Sequence, residues 1–125
     1  MLANRPIHAA LPAVDLERAR RFYAEKLGLT PESEGPGGLF YRCGENTQLL
    51  VFPSQGRASG THSQAGWMVD DIEAEVAELK ARGVVFEEYD MPSLKTINSV
   101  ASTGPARAAW FKDSEGNLLV LLQFV

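Results

Sequence analysis

The chain has a single cysteine, Cys43, so no internal disulfide can form, and this usage fits a reducing compartment. Its longest aliphatic run, Leu118 to Leu122, is far too short to cross a bilayer. No cluster of Lys and Arg occurs and no run of like charge. The formal net charge is −4, so a polyanionic partner has no electrostatic support. The opening Met1-Leu2-Ala3-Asn4-Arg5-Pro6 lacks the apolar stretch of a secretory signal. These absences predict a cytoplasmic protein with neither a nucleic-acid nor a membrane partner. Also missing are a glycine-rich phosphate loop, a G-x-S-x-G elbow, an HExxH pair and paired cysteines. Gly35-Pro36-Gly37-Gly38 reads as a turn, not a phosphate cradle.

What the chain does contain is a repeat. Val14-Asp15-Leu16-Glu17 opens one helical pattern that ends at Gly28, and Val69-Asp70-Asp71-Ile72-Glu73 opens another that ends at Gly83. A strand-like run feeds each helix and further strand-like runs follow. An internal duplication changes the expected fold before any single residue does. The length of 125 residues predicts one domain over 1–125, with a first module over about 5–54 and a second over about 64–125.

The first module begins with a strand over Ile7 to Val14, where Pro12 argues for an edge or a bulge. Asp15 sits at the N-cap position, and Leu16, Ala19, Phe22, Tyr23 and Leu27 form one apolar stripe. Glu17 and Arg21 are spaced as an i,i+4 pair. Strands are expected at Thr30 to Ser33, Leu39 to Cys43 and Gln48 to Phe52, with a turn at Gly44-Glu45-Asn46. Pro53 to Ser63 reads as the linker. In the second module, Gly66 to Val69 and Val84 to Tyr89 read as strands around a helix capped by Asp71. Residues 90–105 read as a loop. Ala108 to Lys112 and Leu118 to Phe124 pair around Asp113-Ser114-Glu115-Gly116-Asn117. Each half is thus β-α-β-β-β. Leu118 to Leu122 is apolar at both parities, so it should be covered on both faces. Lys112 and Glu115, beside the turn, read as surface residues.

These modules resemble the vicinal oxygen chelate superfamily, the glyoxalase, bleomycin-resistance and extradiol dioxygenase group. The resemblance rests on His8 to Glu17 with Phe22-Tyr23, on Trp67-Met68-Val69-Asp70-Asp71-Ile72, and on Trp110 to Asn117. It implies an α+β fold: two tandem βαβββ modules forming a curled, mostly antiparallel sheet cup with the helices outside, and commonly a homodimer. Metal-dependent members hold a divalent ion on His or Gln from the first strand of each module and a carboxylate from the last. Those positions fall on His8, Leu50, Gln64 and Val120. Two carboxylates are replaced by aliphatic residues, so a dication would meet His8 and Gln64 with no anionic compensation. The expectation is therefore no metal cofactor, with His8 and Gln64 as vestigial ligand positions.

Strand alternation groups His8 with Ala10 on one face, and Gln64 with Gly66 and Met68. The expected ligand-binding pocket is His8, Leu50, Gln64, Met68, Trp110 and Val120, with His8 the best candidate for a catalytic group. Trp67, Phe40, Tyr41 and Phe52 divide between core and pocket wall. His62 reads as a solvated loop residue and Cys43 as buried and inert. Tyr89, Asp90, Lys95 and Asn98 border or lie in a loop that is either solvated or closes over a ligand. The reading that follows is a small-molecule-binding protein that sequesters an aromatic or amphipathic compound. One rival is a lyase, isomerase or dioxygenase-like enzyme, using His8 or a divalent metal with Glu45 or Glu88 as the missing carboxylate. Another is a dimeric interaction module with a vestigial pocket.

Overall fold

The structure is a computed structural model. It describes residues 1–124, and for Thr103 the backbone only; Val125, the end of the second expected module, lies outside the described residues. The first module runs β1 (Ala9–Ala13), α1 (Leu16–Leu27), β2 (Ser33–Gly35), β3 (Gly38–Arg42), a 3₁₀ turn (Gly44–Asn46) and β4 (Gln48–Pro53). The second runs β5 (Ser63–Met68), α2 (Ile72–Ala81), β6 (Asp90–Met91), β7 (Leu94–Lys95), β8 (Ala101–Thr103), β9 (Ala106–Lys112) and β10 (Leu118–Phe124). Strand order is β1-β4-β3-β2 in one sheet and β5-β10-β9-β8 in the other. The two sheets match strand for strand, each with one parallel pair, β1 with β4 and β5 with β10. The duplication read in the sequence is a duplication in space, and the α+β expectation holds.

Both helices start where their caps place them. Asp15 accepts a hydrogen bond from the Arg18 N–H at 3.0 Å, and Asp71 from Ala74 at 3.1 Å. Gly28 ends α1 with φ 70°, and Leu29 N–H then returns to the Tyr23 carbonyl at 2.8 Å. The stripe of α1 lies on the first sheet: Tyr23 stacks on Tyr41 with ring centroids 5.5 Å apart. Leu11, Leu39 and Val51 form one layer of this core, and Ile72, Phe111 and Leu119 extend it into the second module. Glu17 pairs with Arg20 at 3.1 Å rather than with Arg21. Arg20 also reaches Glu34, which draws it toward β2 and leaves Arg21 exposed.

Three expectations change in the second module. Residues 84–89 form no strand; Phe86 makes one isolated bridge to Phe111. Val84 and Phe86 are buried while Val85 is 80% exposed, so the alternation is real, but Glu88 turns away to bind Thr96 and Ser99. Residues 90–105 are not a plain loop: they hold the β6–β7 hairpin, a tight turn at Asn98-Ser99, and β8. β5 begins at Ser63, earlier than expected, with a register shift between Leu118 and Leu119. Leu118, Leu119, Val120 and Leu121 are all buried, as their double-sided apolarity requires.

Glu115 is not a surface residue; it is 4% exposed and joins the modules. Its carboxylate accepts the Asp15 backbone N–H at 2.9 Å and two hydrogen bonds from the Arg18 guanidinium, at 2.7 and 3.0 Å. Beside it, Tyr23 Oη donates to Asp113 at 2.7 Å, and Asn117 Nδ2 donates to both Asp113 and the Pro12 carbonyl. The β9–β10 turn therefore receives the start of α1.

Candidate functional site

In the first sheet, Leu11, Ala13, Tyr41, Leu49 and Val51 are buried among core residues. The alternate residues lie on the other face, where Leu50 pairs with Ala10 and Phe40. In the second sheet, Val120 pairs with Gly66 and Trp110, on the face opposite Leu119 and Leu121. β1 touches β5, which brings the edges of the two sheets together. A groove of about 540 Å³ lies along this seam.

The groove takes Ile7 and His8 from the segment leading into β1, which begins two residues later than expected, with Ala9 at the strand's start, and Ala65, Gly66, Trp67 and Met68 from β5. Its third wall is the β3–β4 turn, with Cys43, Glu45, Thr47 and Gln48. Its lining is mostly apolar, with His8, Glu45, Thr47 and Gln48 as its polar side chains beside Cys43. His8 is exposed and Met68 is 76% exposed, so both are open to an incoming molecule. The turn is fixed: Cys43 N–H donates to the Thr47 carbonyl at 2.8 Å, and Thr47 Oγ1 donates to the Gly44 carbonyl at 2.7 Å. Glu45 and Asn46 hold left-handed backbones, φ 56° and 61°. Such a conformation costs a non-glycine residue about 1–3 kcal/mol, a cost the surrounding turn must hold in place.

Of the six residues expected around one pocket, His8 and Met68 line this groove; Leu50, Gln64, Trp110 and Val120 are not among its lining residues. Val120 is 9% exposed and lies under β5, so close that a Cβ at Gly66 would sit 2.5 Å from its Cγ1. Trp110 turns its edge to Tyr89, centroids 5.5 Å apart, and donates from Nε1 to Ser63 Oγ at 3.2 Å. Gln64 lies at the register shift of β5, where its buried Oε1 accepts no hydrogen bond from the described residues. An unpartnered buried acceptor is costly. Trp67 serves both roles, stacking on Phe111 at 6.5 Å while lining the groove. His62 is exposed in the linker near Ser59.

Sequence reading missed the β3–β4 turn as a wall. Gly44-Glu45-Asn46 gave a turn signal, but nothing in it pointed at His8 from some 35 residues away. Cys43 is half-buried and borders the groove rather than the core.

Residues 5–121 match the Glyoxalase/Bleomycin resistance protein/Dioxygenase superfamily. The chain belongs to this superfamily. Solved structures of similar fold include UcmS2, at 19% identity and TM-score 0.75, over 97% of this chain and 98% of that one. TnmS3, an antibiotic binding protein from Streptomyces sp. CB03234, is 23% identical with TM-score 0.68, over 100% of this chain and 99% of that one. A putative glyoxalase family protein from Bacillus anthracis is 18% identical with TM-score 0.74, over 100% and 98% of the two chains. No curated protein sequence matches the chain.

The superfamily's metal-dependent members raise the question of a divalent ion, and the donor set here does not fit one. Leu50 and Val120 offer no donor atom, and Gln64 is neutral. Among the described residues, no three His, Cys, Asp or Glu side chains are grouped to hold a metal ion. The candidate substitute carboxylates stand elsewhere or alone. Glu88 is committed to Thr96 and Ser99, and the Ser99 hydroxyl, then Thr96, hold its pKa below the usual carboxylate value. Glu45 shares the groove with His8 but brings no second carboxylate with it.

Proposed function

We propose that this superfamily member binds a small aromatic or amphipathic molecule in the β1–β5 groove and does so without a metal ion. The observation that carries this reading is the groove itself. Its volume of about 540 Å³ suits a drug-sized molecule, with a mostly apolar lining and a few polar groups for orientation. His8, Thr47 and Gln48 supply hydrogen bonds, and Trp67 and Met68 supply flat and adaptable apolar contact. The printed description of TnmS3 as an antibiotic binding protein supports the same use of this fold. The functional form in this reading is a cytoplasmic homodimer.

A thermal-shift screen with aromatic natural products tests the proposal. A ligand at 100 times its Kd should add about 2.7 kcal/mol of stability. Met68→Glu should abolish that gain without lowering the melting temperature of the free protein. A screen in which no hit depends on Met68 or His8 overturns it. Metal analysis of protein purified without chelator should find no stoichiometric zinc, nickel, manganese or iron; a stoichiometric ion lost in His8→Ala refutes the metal-free part. Light scattering tests the dimer.

A second reading is favoured by one specific observation, that His8 and Glu45 line the same groove. An imidazole and a carboxylate in one groove suit proton transfer, as a lyase or isomerase requires. Turnover of a bound compound, lost in His8→Ala while binding persists, would select this reading.

A further inference from the structure

A second groove, of about 620 Å³, lies away from the β1–β5 seam, on the side of the second sheet that α2 covers. One wall is α2, through Glu73, Val76, Ala77 and Lys80; the other is Lys95, Ile97, Val100, Ser102 and Arg107. Ser102 pairs with Arg107 across β8 and β9, and Arg107 reaches Glu73 at 2.7 Å, which fixes the facing of that wall. Ile72, Val76 and Leu79 seat α2 against the core, and the next stripe carries the small Ala77. A longer side chain there is expected to occupy part of the groove.

The lining has three cations and one anion, net +2, in a chain of net charge −4, with two carboxylates close behind it: Asp90 pairs across the β6–β7 hairpin with Lys95, and Glu88 interacts with Lys80. Among the described residues, neither Lys80 nor Lys95 makes an ion pair within 4 Å. The Glu73 side chain that neutralises Arg107 is 68% exposed, and an ion pair of that kind is weak and readily exchanged for another anion. Between the cations the exposed apolar surface comes from Ala77 and from Ile97, 70% exposed at the rim, with Val76 and Val100 buried beneath at 4% and 8%.

The rim is rigid. Ile97 and Val100 exchange backbone hydrogen bonds at 2.8 and 3.1 Å around Asn98 and Ser99, both left-handed, φ 52° and 73°. Glu88 holds this two-residue turn from behind, accepting from the Ser99 N–H and hydroxyl and from Thr96 Oγ1. A pre-formed wall lowers the entropy cost of binding.

We propose that this groove is a second binding site, for a small organic anion with an apolar body such as an arylalkyl carboxylate. The carboxylate sits among Lys80, Lys95 and Arg107, and the body lies over Val76, Ala77, Val100 and Ile97. The site is independent of the β1–β5 groove, and the two can fail separately.

An amide NMR titration of the full chain with phenylbutyrate, phenylbutanol and inorganic phosphate tests it. Phenylbutyrate should give saturable shifts in α2 and residues 95–107, whether or not Ala65 to Met68 also shift. The alcohol and phosphate should each bind about tenfold more weakly, each lacking half the recognition. Lys80→Gln with Lys95→Gln should weaken phenylbutyrate by about tenfold or more. Ala77→Leu, which occupies part of the groove with a good helix former, should weaken binding while leaving the rest of the spectrum unchanged. The proposal fails if no saturable shift appears in this region, if alcohol or phosphate binds as tightly, or if Ala77→Leu binds like the parent. Shifts confined to Ala65 to Met68 would overturn it too, while supporting the other groove.

Discussion

Glu115 is the residue whose environment departs furthest from what its sequence position suggests. Burial pushes its carboxyl pKa up, but the Arg18 guanidinium, the Asp15 N–H and the Ser114 hydroxyl outweigh that and hold it at about 2. The folded value lies below the unfolded one of 4.5, so the contribution to stability is present above pH 4.5 and is lost as pH falls toward 2. A shift of this size corresponds to about 3 kcal/mol at neutral pH. Chemical denaturation across this range should therefore show an acid limb, and Glu115→Gln should shrink it while lowering stability at pH 7, the remainder coming from Glu32, Glu34 and Glu88, whose pKa values are also lowered. An unchanged acid limb in that variant would mean another carboxylate is responsible. Gly66 is the second residue with a sharp consequence. A methyl there would meet both Cγ1 and the carbonyl oxygen of Val120 at 2.5 Å. Because one of those atoms is backbone, β5 must move, and Gly66→Ala should cost about 1–3 kcal/mol in a denaturant midpoint.

At the scale of elements, legibility followed local chemistry. Asp15, Gly28 and Asp71 each carry a cap that acts through neighbours three to six residues away, so both helices could be read from the chain. The β2–β3 turn was legible in its glycines, and β10 in its unbroken aliphatic run. The stretch 90–105 was not, because its order comes from pairings of two or three residues and a turn whose glycine is missing. A hairpin turn with two left-handed residues normally advertises itself as Asn-Gly. Here Ser99 fills the second place, and the compensation comes from Glu88, eleven residues away. Glu88→Ala should therefore loosen the turn locally: hydrogen exchange at the Ile97 and Val100 amides should quicken about tenfold or more with the global stability nearly unchanged. Exchange that stays slow would show that the turn holds itself. The site was half legible for the same reason. Met68 sits on a strand, and His8 just ahead of one, whose positions the repeat discloses, while Cys43, Glu45 and Thr47 reach the groove only through tertiary placement of a turn.

The whole molecule is held as one unit by a core that runs from Leu11 and Tyr23 through Ile72 to Phe111 and Leu119. The polar contacts at the β9–β10 turn have a different character. The partners in Tyr23–Asp113, Arg18–Glu115 and Asp15–Glu115 are separated by 90, 97 and 100 residues of chain. Contacts across such loops form only after most of the chain has been ordered, since loop-closure entropy must be met first. The expectation is that they form after the transition state for folding and act on the rate of leaving the native state. Tyr23→Phe leaves the aromatic stack in place and removes only the donor to Asp113. In a chevron plot its unfolding arm should rise several-fold while the folding arm stays where it was. The turn that joins the two halves would then set how long the folded molecule lasts, and have almost no say in how fast it is made.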